Sequence, residues 1–279
     1  MRYIFLLITA IFFLGCKEKH PGFSEIEKGY YKKLIVLGDD DKSAILSSYL
    51  GIEVLLFPDS SERKATYLLC RPEELYRYFK GEKLLMEINS MKQGEIARFI
   101  VPGREAVELF STDSATLSLL ENAEYQVVME KRFKDQDNIC TFFMHKAQES
   151  MISEEDAIRL CQSTLNKEWE DFGDVSICFI EQTEGDSVKA GRDISIEYNT
   201  YWLDGTRKDS LTQMAMNFGK PGQLIPGLQY GLSLMKKGER ALIYMPSTLA
   251  FGEEGSNTGI IPPRTPVYFD VKILDVKNK

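Results

Sequence analysis

Chemistry that needs a metal or an activated nucleophile finds few residues to use in this chain. The histidines are His20 and His145, and no cluster of His, Cys and carboxylate has metal-ligand spacing. Neither a Gly-x-Gly-x-x-Gly nor a Walker-type phosphate loop occurs, so no metal and no cofactor is expected. Cys70 has nothing nearby that would lower its pKa and reads as a small buried hydrophobe. Cys161 and Cys178 could form a disulfide in an oxidising compartment. With Cys70 and Cys140 three full connectivities are open, and free buried thiols are an equal reading. The remaining candidates are aromatic and apolar. Tyr198, Phe251 and Phe269 each read alone as core aromatics, Asp209 as a turn residue and Pro262-Pro263 as a loop stiffener. Only their joint order along the chain says more.

The elements that must position them are visible as a repeat. In GLQYGLSLMKKGERALIYMP, Gly227 to Pro246, Leu228, Leu232 and Met235 form the stripe of a short amphipathic helix with Pro226 ahead of it. Gly238 after Lys236 and Lys237 stops the helix, and Arg240 to Met245 alternates as a strand. EINSMKQGEIARFIVP, Glu87 to Pro102, matches it at six of sixteen positions with an offset of 144, and Leu84, Ile88 and Met91 repeat the stripe. Tyr125 to Met129 matches Tyr268 to Lys272 at an offset of 143. One domain type is therefore expected twice.

Size agrees with that, since 279 residues suit two domains and 43% hydrophobic residues supply real cores. A formal charge of −8 argues against nucleic acid as a partner, because a duplex binder needs a basic face.

The N-terminus reads as an address. Arg2 precedes an apolar run from Tyr3 to Leu14, too short to span a bilayer comfortably, which ends in Phe13-Leu14-Gly15-Cys16. This resembles a bacterial lipoprotein signal. The resemblance implies cleavage before Cys16, lipidation of that residue and anchoring of the mature chain in the cell envelope, at the outer membrane facing the periplasm. The expected divisions are a signal peptide over 1–15, a tether over 16–28, a degenerate domain over 29–133, a connector with a helix over 134–171 and a working domain over 172–279.

In the first domain, Gly29 to Leu34 starts a strand, Val54 to Phe57 is an apolar run closed by the turn cluster Pro58 to Ser61, and Pro72-Glu73-Glu74 opens a helix. In the connector, Ser153 caps a helix with Glu154, Glu155 and Asp156 in its first turn. Its apolar side is read from Ala157, Leu160, Cys161, Leu165 and Trp169, and Phe172-Gly173-Asp174 ends it. In the second domain Ile194, Ile196 and Tyr198 share one strand face, as do Val267, Phe269, Val271 and Ile273, and Leu203 to Thr206 is a hairpin-type turn. Many strands around one short helix make an α+β domain, an antiparallel sheet wrapped around a helix.

The segments VKAGRDISIEY, DGTRKDS, QLIPGLQYGLSLMKKGERALIYMP, LAFG and GIIPPRTPVYFDVKIL follow the order and spacing of FKBP-type peptidyl-prolyl isomerases. The resemblance is strong over Val175 to Lys279 and weak over Gly29 to Arg132. It implies peptidyl-prolyl cis-trans isomerisation of proline-containing exported polypeptides, with Tyr198, Asp209, Phe251 and Phe269 as catalytic residues. It further implies Met214, Leu224, Ile225, Leu228, Ile260 and Ile261 as substrate-binding residues, with the Ile225 backbone N–H holding a substrate carbonyl. Four positions depart from the pattern: Leu228 stands where the family has a tryptophan, Phe251 where it has a tyrosine, and Lys208 and Met214 where it has phenylalanines. The first copy lacks a Gly-Ile-Ile-Pro-Pro loop and is expected to be inactive, serving as a binding or docking module. The alternative function is a non-catalytic peptide-binding chaperone or assembly lipoprotein.

Overall fold

The computed structural model describes residues 19–39, 48–57, 65–106, 121–136 and 138–277. The leader, Cys16 and the Pro58 to Ser61 turn lie outside them. Among the described residues twelve strands form two six-stranded antiparallel sheets. The first holds β1 (Ser24–Glu27), β2 (Tyr30–Val36), β3 (Tyr49–Phe57), β4 (Ala65–Cys70), β5 (Ile96–Pro102) and β6 (Asn122–Phe133), in the order β1-β2-β5-β6-β3-β4. Helix α1 (Glu82–Ser90) lies between β4 and β5, and a short α2 (Gly103–Ala106) follows β5. Two connector helices come next, α3 (Ile139–Gln148) and α4 (Glu154–Gln162). The second sheet holds β7 (Glu170–Phe172), β8 (Val175–Glu181), β9 (Asp193–Trp202), β10 (Arg207–Asn217), β11 (Arg240–Met245) and β12 (Val267–Lys277), with α5 (Pro226–Ser233) before β11. Its order, β7-β8-β11-β12-β9-β10, is that of the first sheet strand for strand.

The duplication thus runs through the whole domain, including the first half, which composition hides. Tyr49 and Asp193, Glu82 and Pro226, and Ile96 and Arg240 open equivalent elements 144 positions apart. The last strand keeps that spacing too, which corrects the offset of 143 read from Tyr125 to Met129. Tyr125 sits opposite Phe99 as Phe269 sits opposite Ile243, so Tyr125 is equivalent to Phe269, not Tyr268. A slip of one residue would have sent every side chain to the wrong face.

What the repeat retains is a turn. Lys92 N–H donates to the Glu95 carboxylate at 3.1 Å, and Lys236 N–H to that of Glu239 at 2.7 Å. Gly94 N–H bonds Met129 O and Gly238 N–H bonds Ile273 O, at 2.7 and 2.8 Å. Both glycines have φ near +80°, at 78° and 87°, where a side chain is strained. The matched Met, Lys, Gly and Glu are the residues this turn uses.

Two boundaries move. Ser24 pairs with Lys32, so the first sheet begins inside the stretch read as tether, and Glu170 pairs with Ile177, so the second begins inside the stretch read as connector. Both edge strands, SEIE and EDF, are short and largely polar and carry no strong alternation. The helix capped by Ser153, whose hydroxyl accepts from Asp156 N–H at 3.0 Å, ends at Gln162 rather than running through Leu165 and Trp169. The connector also holds a second helix, α3, that its apolar run concealed.

Each sheet covers its own helix with one face. Leu84, Ile88 and Met91 enter the first core, and Leu228, Leu232 and Met235 the second. The opposite faces meet across the connector. Tyr49, Tyr67, Leu69 and Phe133 of the first half, Phe143, Ala157, Ile158 and Leu160 of the connector, and Leu203 and Tyr244 of the second share one buried cluster. Trp169, Tyr244, Tyr268 and Tyr201 form an aromatic ladder along it, with centroid spacings of 4.9, 4.5 and 4.8 Å. Within this layer Lys146 pairs with Glu130 at 2.9 Å and Tyr67 donates to Glu53 at 3.0 Å, whereas Gln162 Nε2 and Trp169 Nε1 are buried without a hydrogen-bond partner among the described residues.

All four described cysteines, Cys70, Cys140, Cys161 and Cys178, are free thiols. Burial pushes the Cys70 thiol up to about 12, which leaves it inert at neutral pH. Burial first, then a hydrogen bond with Cys140, raises the Cys161 thiol well above its ordinary value. Among the described residues no helix is long and apolar enough to cross a membrane.

Because the second sheet buries its outer face against α3 and α4, a chain cut to residues 170–279 exposes Leu203, Leu242, Tyr244 and Tyr268. Such a piece is expected to bind a hydrophobic dye and to unfold at a lower urea concentration than the intact chain, since fully re-exposing four large side chains at about 1.5–3 kcal/mol each would cost at most about 6–12 kcal/mol. An isolated piece as stable as the whole chain, with no dye binding, would show that this face needs no cover.

Candidate functional site

The site is built on the inner face of the second sheet, where α5 crosses it. Pro226 opens α5, which suits a position whose N–H has no helical partner. Gly227 and Gly231 let the helix lie against β11. A Cβ on Gly231 would stand 2.7 Å from Ile243 Cδ1, and one on Gly227 2.5 Å from Met245 Sδ. The close approach places Leu228, 2% exposed, as the floor. In the first copy Lys83 and Glu87 occupy the equivalent positions, and α1 leans on β1 and the Pro72–Arg77 turn instead of β5.

Strand alternation brings the aromatic residues to this floor. On β9 the inward residues are Ile194, Ile196, Tyr198, Thr200 and Trp202, and on β12 they are Val267, Phe269, Val271 and Ile273. Tyr198 and Phe269 meet edge to face with centroids 5.6 Å apart. Phe269 is buried at 3%, whereas Tyr198 stays half-open. Phe251, Met214, Leu224 and Ile225 pack against the same cluster, half-buried, and Ile261 is buried within it. Ile225 is the N-cap of α5, and its N–H has no acceptor among the described residues. Leu224 also lines an outer groove of about 710 Å³ with Phe218, Pro226 and Tyr230.

The loop from Pro246 to Pro266 closes the wall. Ser256 clamps it, donating its N–H to Ile261 O and accepting Ile261 N–H on Oγ, both at 2.9 Å. Gly255, at φ +76°, is required here, because a Cβ would lie 2.4 Å from the Ile261 carbonyl oxygen. This clamp turns Ile261 inward and leaves Ile260 outside the cluster at 46% exposure.

Asp209 also stands apart from the apolar cluster. It is exposed, and its carboxylate accepts Ser210 N–H at 2.8 Å. It still reaches the site electrostatically: burial first, then the Asp209 charge, raises the Tyr198 phenol above its ordinary value, so Tyr198 remains an O–H donor at neutral pH. Lys208 sits at a register shift between β9 and β10 and lays its Nζ 3.2 Å from the centre of the Trp202 ring. Trp202 therefore brings an aromatic surface beside the place that Lys208 leaves without one. Its indole Nε1 is buried without a hydrogen-bond partner among the described residues. Sequence reasoning did not single out Trp202, although the alternation of Ile194, Ile196 and Tyr198 carried on to it.

The first copy assembles the same positions and fills them. Val54 stands at the place of Tyr198, Leu84 at that of Leu228 and Tyr125 at that of Phe269, all essentially inaccessible. Phe79 and Phe99 pack on Tyr125 with centroids 6.0 Å away. Tyr30, bonded to Glu105, lies across Gly81, the counterpart of Ile225.

Among the described residues no group of His, Cys and carboxylate side chains is placed to hold a metal. The second-copy site offers an apolar, aromatic-walled recess with one backbone donor and one phenol, and no nucleophile.

Comparison with known proteins agrees with this geometry. The family model described as FKBP-type peptidyl-prolyl cis-trans isomerase matches residues 185–274. The chain is 30% identical over 108 residues to an FK506-binding protein of Neisseria meningitidis serogroup C, covering 37% of this chain and 97% of that one. It is 36% identical over 109 residues to the isomerase FPR2 of Saccharomyces cerevisiae, covering 37% and 75%. Against the mouse isomerase FKBP9 it is 38% identical over 96 residues, 33% of this chain but only 16% of that longer protein. The crystal structure of FkpA from Escherichia coli aligns over 49% of this chain and 63% of that one, at 23% identity and a TM-score of 0.40. With a relative of that family matched over nearly its whole length, the chain belongs to the FKBP-type peptidyl-prolyl cis-trans isomerases.

Proposed function

We propose that the protein is an active peptidyl-prolyl cis-trans isomerase that assists proline-containing exported polypeptides, held in the cell envelope by a lipid on Cys16, at the outer membrane facing the periplasm. The observation that carries the catalytic reading is the second-copy recess, with Tyr198 half-open against Phe269 over the Leu228 floor.

An X-Pro bond resists rotation by about 18–20 kcal/mol because resonance gives it double-bond character. The twisted transition state has lost that resonance and is less dipolar than the planar amide. A dry apolar wall favours the twisted form over the planar one relative to water, which is differential binding without covalent chemistry. In this site Phe251, Ile261, Phe269 and Leu228 form the wall that takes the proline ring. The unbonded Ile225 N–H holds a substrate carbonyl and fixes one side of the bond while the other turns. The Tyr198 hydroxyl and the Asp209 charge act on the polar edge of the twisting amide. Uncatalysed isomerisation takes tens to hundreds of seconds and limits folding, which gives such a site its use.

A second reading is a non-catalytic peptide-binding chaperone or assembly lipoprotein. It draws on the cationic Lys208 at the position of an aromatic residue. It draws nothing from the first copy as a peptide-binding module, because Tyr125, Phe79 and Tyr30 fill its interior.

In an isomerisation assay on a proline peptide, the intact chain is expected to accelerate the reaction, and Phe251→Ala and Asp209→Ala are each expected to lower kcat/KM about tenfold, worth about 1.4 kcal/mol. No acceleration above background removes the enzyme reading in favour of the binder. Gly255→Ala should lower kcat/KM comparably by displacing Ile261, with less effect on thermal unfolding than on activity; unchanged activity would show that the Ser256 clamp does not shape the wall. Mass spectrometry of the mature N-terminus is expected to find Cys16 first and acylated, whereas an unmodified chain starting elsewhere excludes the anchor.

A further inference from the structure

We propose that Glu154 and Gln148, on the two connector helices, are positioning residues for the pocket wall, so that the connector is part of the working site; this rests on the isomerase reading above. The loop between β11 and β12 carries Phe251 and Ile261 but has no strand beside it, and hydrogen bonds set its shape. Gly252 N–H donates to Ser247 O at 2.7 Å, and Arg264 N–H to Gly252 O at 3.1 Å, closing the loop base around Phe251. Both roots of this base are tied outside the second domain. At one root, Ser247 donates its Oγ–H and its N–H to the two carboxylate oxygens of Glu154, at 2.6 and 2.5 Å. At the other, Gln148 Nε2 donates to Thr265 Oγ1 at 3.0 Å, and that hydroxyl donates to Pro263 O at 3.1 Å. Ser247 and Thr265 are buried, so no water replaces these partners freely.

The arrangement is directional. Glu154 is the first residue of α4, where the helix favours a negative charge, and two donors fix the orientation of its carboxylate. Arg264, at a strained φ of 49°, adds a bond from its guanidinium to Ser150 Oγ at 3.5 Å between the two helices and the loop. A wall held from both roots keeps Phe251 and Ile261 at a fixed distance from Tyr198 and Phe269. A misplacement of about 1 Å in a positioned group can cost about a hundredfold in rate.

The test uses the full chain with Glu154→Ala, Gln148→Ala, the conservative Glu154→Gln, and Glu155→Ala as a control that removes a neighbouring N-terminal carboxylate exposed to solvent. Amide hydrogen exchange is followed over 247–265 and over β12, beside kcat/KM for a proline peptide. Glu154→Ala is expected to quicken exchange about tenfold in 247–265 but not in β12, and to lower kcat/KM about tenfold. Gln148→Ala should do so more mildly near Thr265, Glu154→Gln should recover part of the loss by keeping one acceptor, and Glu155→Ala should match the parent. Unchanged loop exchange and activity in Glu154→Ala overturn the proposal. Exchange quickened equally in β12, or an equal loss in Glu155→Ala, also overturns it, because the effect is then general stability. A parent chain without isomerase activity fells the functional reading alone, and loop exchange still decides whether Glu154 holds the wall.

Discussion

A glutamate carboxylate folded back onto a turn fixes where the pocket can be. Glu239, nearly buried, holds Lys236 N–H while its own carbonyl accepts from Ile273 on β12. That one residue ties the end of α5 to the last strand and to the start of β11. The angle of α5 over the sheet follows from it, and so does the height of Leu228 beneath the aromatic residues. Glycines at 227 and 231 then remove the side chains that would lift the helix away. A carboxylate is expensive to bury without partners, so this turn tolerates little change in either half.

The two halves show how a shared scaffold separates from a site. Glu95 makes the same turn in the first half, and β3, β5 and β6 keep the same register as β9, β11 and β12. Lys83 and Glu87 in place of the two glycines alter the helix, and Tyr125, with Phe79 and Phe99 against it, takes up the interior that the second half leaves half-open. The side chains at the site positions of that half are buried, and close packing of this kind stabilises it.

How much of this was legible depended on how locally it is encoded. The helix, turn and strand of the repeat were readable because Met, Lys, Gly and Glu are demanded by one turn within a few residues. The inward faces of β9 and β12 followed from alternation, and the α+β class from both. The edge strands at Ser24 and Glu170 were not readable, since their short polar sequences gain their form from a neighbouring strand. The same holds for Trp169, which looks like the apolar side of a helix and lies instead against Tyr244. Asp209 and Ile260 show the limit for the site: the order of residues placed them near the recess, while a turn and a Ser256 clamp decided which side chains face into it. The partnership of Glu154 with Ser247 spans 93 positions and leaves no local pattern at all.

The buried layer of α3 and α4 has a geometric consequence for presentation. With the backs of both sheets turned toward that layer, the two inner faces look in opposite directions. The N-terminal strand belongs to the first sheet, and the recess opens from the second. Two layer spacings of about 10 Å each put roughly 20 Å of packed protein between the sheets. The recess therefore faces away from the first sheet, at a spacing that the buried layer sets. The first copy thereby fixes which way the second one faces.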